Sequence, residues 1–373
     1  MMDAAAHPSC SACAACLRRA WLVARLAGHI EIAWMRRRPL PALLSLADDA
    51  LVAALGGDER PRIETEYERF DPQVAIAACA AHDVLPLCRC DPRYPLRLHE
   101  LPDPPAVLHV YGQQAGFERC TAQESVAIVG ARRGSPYGLE QARGLGRGLA
   151  AAGLTVVSGM ALGIDAAAHT GALEVDGATI AVLAGGPERP YPASKRRIHE
   201  RIAATGAAVS EMPPGTGARR WCFPARNRLI AALSRATVVV EAGERSGSLI
   251  TASLAADLGR DVAAVPGLVT APLAAGTNAL IVDGATLVRG SHDVLELLFG
   301  AEGAPDRTAA PDAGLEPDLA ALLHRVRSGH DSVAALVADG CAVDATLAGL
   351  AQLELRGLLL RVAGGRYLPA APE

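Results

Sequence analysis

The chain has 373 residues, of which half are hydrophobic and 20% are charged, and its formal net charge is −4. This size suits two or three domains, the hydropathy excludes disorder for most of the chain, and no apolar run reaches the length of about 18 residues that a membrane span needs. The nine cysteines do not form the framework of a small disulfide-rich protein, and the first residues do not resemble a signal peptide, so we expect a cytoplasmic protein.

The charge is unevenly distributed along the chain. Residues 189–235 contain ten lysine or arginine residues and two acidic ones, whereas residues 301–373 contain six basic and ten acidic ones. A basic middle and an acidic end predict a site for a polyanion on the central part of the chain.

The region up to residue 90 is predicted to be a helical domain. Apolar residues recur at helical spacing over residues 21–32 and 41–55, and stiff proline-containing turns follow the region.

Cysteines near the start of this region have the spacing of metal ligands. The candidate ligands are Cys10, Cys13 and Cys16, with His7 just before them and Cys88 and Cys90 as further thiols. A zinc ion or an iron–sulfur cluster is one interpretation, and plain reduced thiols are the alternative.

Residues 91–300 are predicted to form an α/β domain. Short apolar strands are expected at residues 126–129, 155–157, 179–183, 207–209, 237–240 and 262–265. Helices are expected near residues 137–151, 164–173, 194–203, 227–233 and 249–258. Strands that are apolar throughout are typical of a parallel sheet buried on both faces, and strict alternation with helices indicates a doubly wound fold.

The C-terminal part is predicted to be a separate module. Residues 301–316 are rich in alanine, proline, aspartate and glycine and are interpreted as a linker. Residues 317–373 show helical stretches followed by a hairpin pattern, which is the element order of a winged helix.

Several predicted strands end in glycine-containing loops that lead into helices. At Ser158-Gly159 a strand ends, and a helix begins near Gly163; the free amides of such a helix start favour an anion. Arg132 and Arg133 follow the first strand, at the sheet edge where ligands of parallel sheets bind, and a guanidinium suits phosphate oxygens. Neither the G-x-G-x-x-G nor the P-loop pattern is present, which disfavours dinucleotide binding and a P-loop ATPase.

Basic groups in consecutive loops are expected to share this edge of the sheet. Solvated arginines and serines that only cap helices are the alternative interpretations. The predicted phosphate-binding residues are the side chains of Arg132, Arg133, Lys195, Arg226, Asn227 and Arg228, and the backbone of Gly159, Gly163, Ser246 and Gly247. Because aromatic residues make up only 3% of the chain, phosphate contacts rather than base stacking are expected to carry binding.

Catalytic patterns are scarce in the sequence. Asp165 and His169 lie four residues apart and could act as an acid/base pair, although a helix-capping aspartate and a structural histidine are the more ordinary interpretation. Neither a G-x-S-x-G elbow nor an H-E-x-x-H motif occurs.

Several motifs together resemble the DNA-processing protein A family (DprA, also called Smf). They are Gly130-Ala-Arg132 with Ser135-Pro-Tyr-Gly138, Ser158-Gly-Met-Ala-Leu-Gly-Ile-Asp165, Phe223-Pro-Ala-Arg-Asn-Arg228, Ser246-Gly-Ser-Leu-Ile-Thr251 and Gly276-Thr-Asn-Ala-Leu-Ile281. The chain departs from the family pattern at Lys195, where an asparagine is usual.

The resemblance implies an extended Rossmann-like domain, preceded by a helical domain like a sterile alpha motif. It also implies a dimer without a nucleotide cofactor that binds single-stranded DNA in natural transformation and loads a RecA-type recombinase. The family's functional arginines would correspond to Arg132, Arg226 and Arg228. We therefore expect a non-enzymatic mediator and no membrane partner. The alternatives are a phosphoribohydrolase-like enzyme on the same fold, using Asp165, His169 or Glu241, and a mononucleotide sensor.

Overall fold

The computed structural model describes residues 12–300, 315–327, 330–338, 341–356, 358–362 and 365–369. The chain forms two compact units, residues 1–305 and residues 306–373. His7, Cys10 and most of the predicted linker lie outside the described residues. No described helix is long and apolar enough to cross a bilayer.

Six helices make up the first part of the larger unit, among the residues that the structure describes. They are α1 (Ala14–Arg25), α2 (Ala27–Met35), α3 (Leu40–Leu44), α4 (Asp48–Leu55), α5 (Arg60–Glu68) and α6 (Pro72–Ala80). Their apolar faces enclose Leu22, Leu26 and Ile30, and the same core contains Trp221 from the α/β part. The Trp221 indole donates a hydrogen bond to the Ala27 carbonyl at 2.9 Å. The helices therefore share a core with the α/β part, and the predicted boundary at residue 90 lies inside one compact unit.

A nine-stranded sheet forms the centre of this unit. Its strands are β1 (Val84–Cys88), β2 (Val107–Tyr111), β3 (Ser125–Val129), β4 (Thr155–Ser158), β5 (Thr179–Val182), β6 (Ala207–Ser210), β7 (Ala236–Val239), β8 (Asp261–Ala264) and β9 (Thr286–Leu287). Their order is β1-β2-β6-β5-β4-β3-β7-β8-β9. The pairs from β6 to β9 are parallel, and β1 and β2 are antiparallel additions at one edge. The predicted parallel sheet is thus present, extended by strands that the prediction did not contain.

Helices cover both faces of the sheet. They are α7 (Gln114–Ala122), α8 (Pro136–Ala151), α9 (Ile164–Leu173), α10 (Arg196–Thr205), α11 (Cys222–Leu233), α12 (Gly247–Asp257), α13 (Ala275–Val282) and α14 (Ser291–Phe299). Along β3, Val126 and Ile128 pack into one core with α8, while Ala127 and Val129 pack into the other with α11. Because successive side chains point to opposite faces, both faces must be apolar, which explains the continuous apolar run in the sequence.

The strand order reverses direction at β3. From β3 the chain adds β4, β5 and β6 on one side, and it then crosses to β7, β8 and β9 on the other. The loops that follow β3 and β7 therefore lead away from each other and open a crevice between them. In doubly wound sheets this switch point is where ligands bind.

The smaller unit contains helices followed by a hairpin. Its elements are α15 (Pro317–Arg327), α16 (Val333–Ala338), α17 (Val343–Leu355), β10 (Leu359–Val362) and β11 (Arg366–Pro369). Leu323, Leu336, Leu350 and Leu353 form its core. The elements have the predicted order, and the assignment as a winged helix stays a prediction.

Candidate functional site

A cavity of about 470 Å³ lies at the switch point of the sheet. Five of the predicted phosphate-binding residues line it: Arg132, Arg226, Asn227, Ser246 and Gly247. These residues come from the loop after β3, from α11 and from the start of α12. The crevice thus brings together groups that are more than 100 residues apart in the chain.

Arg132 forms an exposed rim of this cavity. Its guanidinium carbon lies 5.2 Å from the centre of the Phe223 ring, in a cation–π contact. Among the residues that the structure describes, no carboxylate forms an ion pair with Arg132. The stacked, charged guanidinium is therefore held in place while its hydrogen-bond donors stay accessible to an anion.

Arg226 is the buried charge of the cavity, with 8% of its surface exposed. Its Nη1 donates to the Val182 carbonyl at 2.7 Å, its Nη2 lies 4.0 Å from the Asp165 carboxylate, and its Nε has no hydrogen-bond partner. Burial lowers the pKa of Arg226, although Asp165 opposes the shift, and an arginine remains protonated. A positive charge with such incomplete compensation favours an anion in the cavity.

Asp165 is held by the loop that follows β4. Its Oδ2 accepts hydrogen bonds from the amides of Gly159 at 3.2 Å and Ala161 at 3.3 Å. Burial raises the pKa of Asp165, while Arg226 and these amides act in the opposite direction. The Gly159 amide thus has a partner within the chain, and its predicted contact with phosphate stays a prediction.

Gly159 has a different role, which depends on its size. A Cβ atom at this position would lie 1.7 Å from Nη1 of Arg226, so only glycine leaves room for the guanidinium. Gly163 has a φ of +80° and precedes α9, in a backbone conformation that favours glycine. It does not line the cavity, and the first amide of α9, from Ile164, donates to the Ala131 carbonyl. Both glycines shape the loop that holds Asp165.

The start of α12 faces the cavity. Ser246 is the N-cap residue, and its hydroxyl accepts a hydrogen bond from the Ser248 amide. The side-chain amide of Asn227 donates to the Gly247 carbonyl at 3.3 Å and ties α11 to this helix start. Capping and anion binding are compatible here, because Gly247 is exposed and has no side chain to cover the amides.

Arg228 does not line this cavity, although it borders a neighbouring one. Its Nε donates to Asp103 at 2.9 Å, and its Nη2 contacts both oxygens of Glu211 at 2.8 and 2.9 Å. Burial lowers the pKa of Arg228 because it disfavours the charged guanidinium. The carboxylates of Glu211 and Asp103 have a larger, opposite effect, so the pKa of Arg228 lies above its ordinary value. Its charge is already matched by two carboxylates, so we assign it to the core of the unit rather than to a strand path.

Arg133 and Lys195 lie outside the cavity lining. Arg133 is exposed beside Arg132, and Lys195 is half-buried at the end of a short 3-10 helix, Ala193–Lys195. Lys195 follows Tyr191, whose ring lies 5.4 Å from that of Phe223 on the cavity wall. These two cations therefore belong to the surface around the cavity.

Aromatic side chains are the part of the site that the sequence analysis missed. Phe223 and Trp34 line the cavity, and Tyr191 is 51% exposed beside Phe223. Phe223 and Tyr191 stand within or next to recognised motifs, so position could have revealed them where overall composition did not. Trp34 comes from α2, and no local signal connects it with the sheet.

A second cavity of about 650 Å³ adjoins the first and shares Trp34, Pro224 and Ile250 with it. Its lining includes three exposed arginines, and Arg228 forms part of it as well. The exposed arginines are Arg37, Arg38 and Arg220. The two cavities together form a continuous basic groove, which we call the extended groove.

The side chains considered for catalysis have partners of their own. His169 Nδ1 lies 2.7 Å from the Thr179 hydroxyl, and burial lowers its pKa to about 3, so the ring is neutral. Glu241 accepts hydrogen bonds from the amide and the hydroxyl of Ser135 at 2.8 and 2.5 Å, at the start of α8. Of the three candidates, only Asp165 lines the main cavity.

Comparison with known proteins identifies the family. The family described as DNA recombination-mediator protein A matches residues 86–299, more than half of the chain. The chain belongs to this family. The DprA resemblance predicted from the motifs is thereby confirmed.

Named relatives of this DprA-family chain agree with the assignment. It is 37% identical to Protein Smf of Synechocystis sp. over 311 residues. This alignment covers 74% of this chain and 78% of the relative. It is 32% identical over 292 residues to the DNA processing protein DprA of Bacillus subtilis, covering 76% of this chain and 95% of the relative.

Two solved DprA structures resemble this chain. DprA from Streptococcus pneumoniae matches with a TM-score of 0.60 and 32% identity, over 75% of this chain and 95% of that one. DprA from Helicobacter pylori, whose structure is described as showing a single-stranded DNA binding mode, matches with a TM-score of 0.52 and 30% identity. That match covers 58% of this chain and 95% of the other. The predicted α/β class is confirmed, whereas the identity of the helical parts stays a prediction.

Proposed function

We propose that this DprA-family protein binds single-stranded DNA and acts as a recombination mediator. It would protect incoming DNA in natural transformation and load a RecA-type recombinase onto it, in the cytoplasm and without catalysing a reaction. The observation that carries the proposal is the cavity at the switch point, where Arg132 and the buried Arg226 meet the start of α12. The single-stranded DNA binding mode described for the Helicobacter pylori relative supports it.

The chemistry of the cavity suits a phosphodiester. Arg132 can present a planar pair of donors to phosphate oxygens, and the buried Arg226 supplies a second positive charge in the cavity wall. Trp34 offers a flat apolar surface on which an unpaired base can stack, beside the Phe223 ring that holds Arg132. Base faces are exposed in single strands and covered in duplexes, so this combination favours a single strand.

The extended groove supports a polymer as the ligand rather than a mononucleotide. The second cavity adds Arg37, Arg38 and Arg220 to the cations of the first one. A mononucleotide has a single phosphate group and cannot contact all of them. We propose that consecutive nucleotides run from Arg132 past Trp34 to these arginines.

Binding of labelled oligo-dT tests the function directly. We expect oligo-dT to bind more tightly than its duplex with oligo-dA and far more tightly than thymidine monophosphate, with an affinity that falls steeply as salt rises. Equal competition by thymidine monophosphate and oligo-dT, at the same nucleotide concentration, would instead identify a mononucleotide sensor.

The extended groove gives a prediction about the length of the ligand. Arg37→Ala with Arg38→Ala should weaken binding of long oligo-dT about three- to tenfold and lower the salt slope by about two, because each contact releases roughly one counterion. Binding of an oligonucleotide too short to pass Trp34 should not change. The matched control is Arg60→Ala with Arg62→Ala, two exposed arginines on α5. Equal losses for both oligonucleotide lengths would contradict the path.

The proposed homodimer is supported by an unpartnered apolar surface. Leu268 and Val269 are 77% and 91% exposed, and Val282 is 86% exposed. Asn278 exchanges hydrogen bonds with the backbone of Gly267, which places the loop beside the face of α13 that carries Val282. Light scattering should show a dimer that Val282→Glu converts to a monomer. Leu96→Glu, at another exposed leucine, should leave the dimer intact.

The acidic C-terminal unit is proposed to contact protein rather than DNA. Residues 301–373 have four more acidic than basic side chains, which opposes binding to a phosphate backbone. Deletion of this unit should leave oligo-dT affinity unchanged. Binding of the recombinase should then be compared between the full chain and the chain without this unit.

A hydrolase is the second candidate, because Asp165 lies in the cavity and burial raises its pKa. A raised pKa is typical of a carboxyl that acts as a general acid. Incubation with nucleoside monophosphates, followed by detection of released base, tests this candidate. Turnover that Asp165→Asn abolishes would establish it, and no release above the rate without protein would refute it.

A further inference from the structure

Four cysteines meet where the N-terminal helices contact the sheet. Cys13 is the N-cap residue of α1, and Cys16 lies in the first turn of this helix. Cys88 is the last residue of β1, and Cys90 lies in the turn that follows. The four Sγ atoms all lie within 4.8 Å of one another. Two segments more than 70 residues apart thus contribute two thiols each to one point.

The spacing of the sulfur atoms fits one metal ion at their centre. Tetrahedral zinc with Zn–S bonds of about 2.3 Å holds its sulfurs about 3.8 Å apart. The Sγ atoms of Cys16 and Cys90 lie 4.0 Å apart, which is close to that value and about twice the length of a disulfide bond. In an iron–sulfur cluster the four thiolates are divided among two or four irons, and thiolates on different irons must lie farther apart, so the compact group favours a single ion.

We propose that Cys13, Cys16, Cys88 and Cys90 bind one Zn²⁺ ion as a structural tetrathiolate site. Four thiolates complete the tetrahedron, so no position is left for water or a substrate, as in structural rather than catalytic zinc sites. The ligand set differs from the predicted Cys10, Cys13 and Cys16, because the end of β1 and the turn after it supply Cys88 and Cys90, which the sequence offered only as further thiols. Neither His7 nor Cys10, which lie outside the described residues, is needed for four ligands.

The surroundings of the thiols fit a site of this kind. The Cys13 amide donates to the Cys88 sulfur at 3.5 Å, the type of hydrogen bond that stabilises a thiolate ligand. Cys16 and Cys88 are buried among Leu17 and Val107, whereas Cys90 is exposed and gives the ion a path to the site. The site is thus closed on the protein side and open on one edge.

The position of the site gives the ion a function. It would fasten the start of α1 to the end of β1, and α1 leads directly into α2, which carries Trp34 to the main cavity. Zinc would therefore fix the N-terminal helices against the sheet. This inference does not depend on what the cavity binds.

Metal analysis of the full chain, purified under reducing conditions, tests the proposal. We expect one zinc per chain, and Cys90→Ser and Cys13→Ser should each lose most of it. Cys341→Ser, at a half-buried cysteine of the other unit, should keep one zinc per chain. Removal of zinc by a chelator should lower the midpoint of thermal unfolding by roughly 5–10 °C, and added zinc should restore it.

A cobalt spectrum keeps the test independent of how the variants fold. The unaltered chain with Co²⁺ in place of zinc should show the strong visible bands of tetrahedral cobalt with thiolate ligands. Three results would overturn the proposal: a reduced chain that binds neither ion, iron in place of zinc, or disulfides among these cysteines found by mass spectrometry in the freshly purified protein.

Discussion

Arg228→Ala should lower the free energy of unfolding by about 3–5 kcal/mol, the largest effect on stability that we expect from one substitution outside the cysteine cluster. The change leaves the carboxylates of Asp103 and Glu211 without their counter-charge, and the Asp103 side chain is fully buried. Denaturant unfolding of the full chain, followed by the fluorescence of Trp221 and the other tryptophans, measures the difference.

A surface ion pair provides the control for Arg228. Arg289 pairs with Asp293 while 78% of its side chain is exposed, so Arg289→Ala should leave the free energy of unfolding nearly unchanged. The folded fraction of Arg228→Ala should bind oligo-dT normally. If Arg228→Ala instead keeps its stability and loses affinity for DNA, Arg228 belongs to the DNA-binding residues, as the motif predicts.

The double variant Arg132→Ala with Arg226→Ala should lose oligo-dT affinity by about a hundredfold at physiological salt. Each arginine would give up a charge-assisted hydrogen bond to phosphate, which contributes roughly 1.5–3 kcal/mol. The slope of affinity against salt should fall by about two, since two phosphates lose their cation. Fluorescence anisotropy over a salt series measures both quantities.

The single variants separate binding from folding. Arg132 is exposed, so Arg132→Ala should keep its thermal stability and still lose about tenfold in affinity. Arg226 also holds the Val182 carbonyl and faces Asp165, so Arg226→Ala should lose stability as well. The surface pair Arg60→Ala with Arg62→Ala is the charge-matched control. A folded double variant with unchanged affinity would defeat the assignment of the cavity.

The parallel strands could be predicted from the sequence because both of their faces are buried. Short continuous apolar runs such as the one in β3, ended by a glycine-containing turn, are typical of strands buried on both faces of a parallel sheet. β1 was assigned to the helical region, since it is short and contains Pro86, which an edge strand tolerates. β9 has two exposed residues and carries no apolar signal.

The site was predicted in part, for a geometric reason. Arg226 and Arg228 share one motif, but residues two apart on a helix point about 200° away from each other. Arg226 therefore lines the main cavity. The guanidinium of Arg228 instead binds Asp103 and Glu211 and only borders the second cavity. The motif shows that Arg226 and Arg228 occur together in the sequence. Only the helix geometry shows that the two side chains have different partners.

The shared core of the N-terminal helices and the α/β part limits how the protein can be divided. Trp221 is fully buried in a core that it shares with side chains of the N-terminal helices, and its indole donates a hydrogen bond to the Ala27 carbonyl. A fragment trimmed to the family-matched residues 86–299 would expose this tryptophan to solvent and would also lack Trp34. Recombinant fragments of this protein should therefore retain α1 to α6, even though the family match covers only residues 86–299.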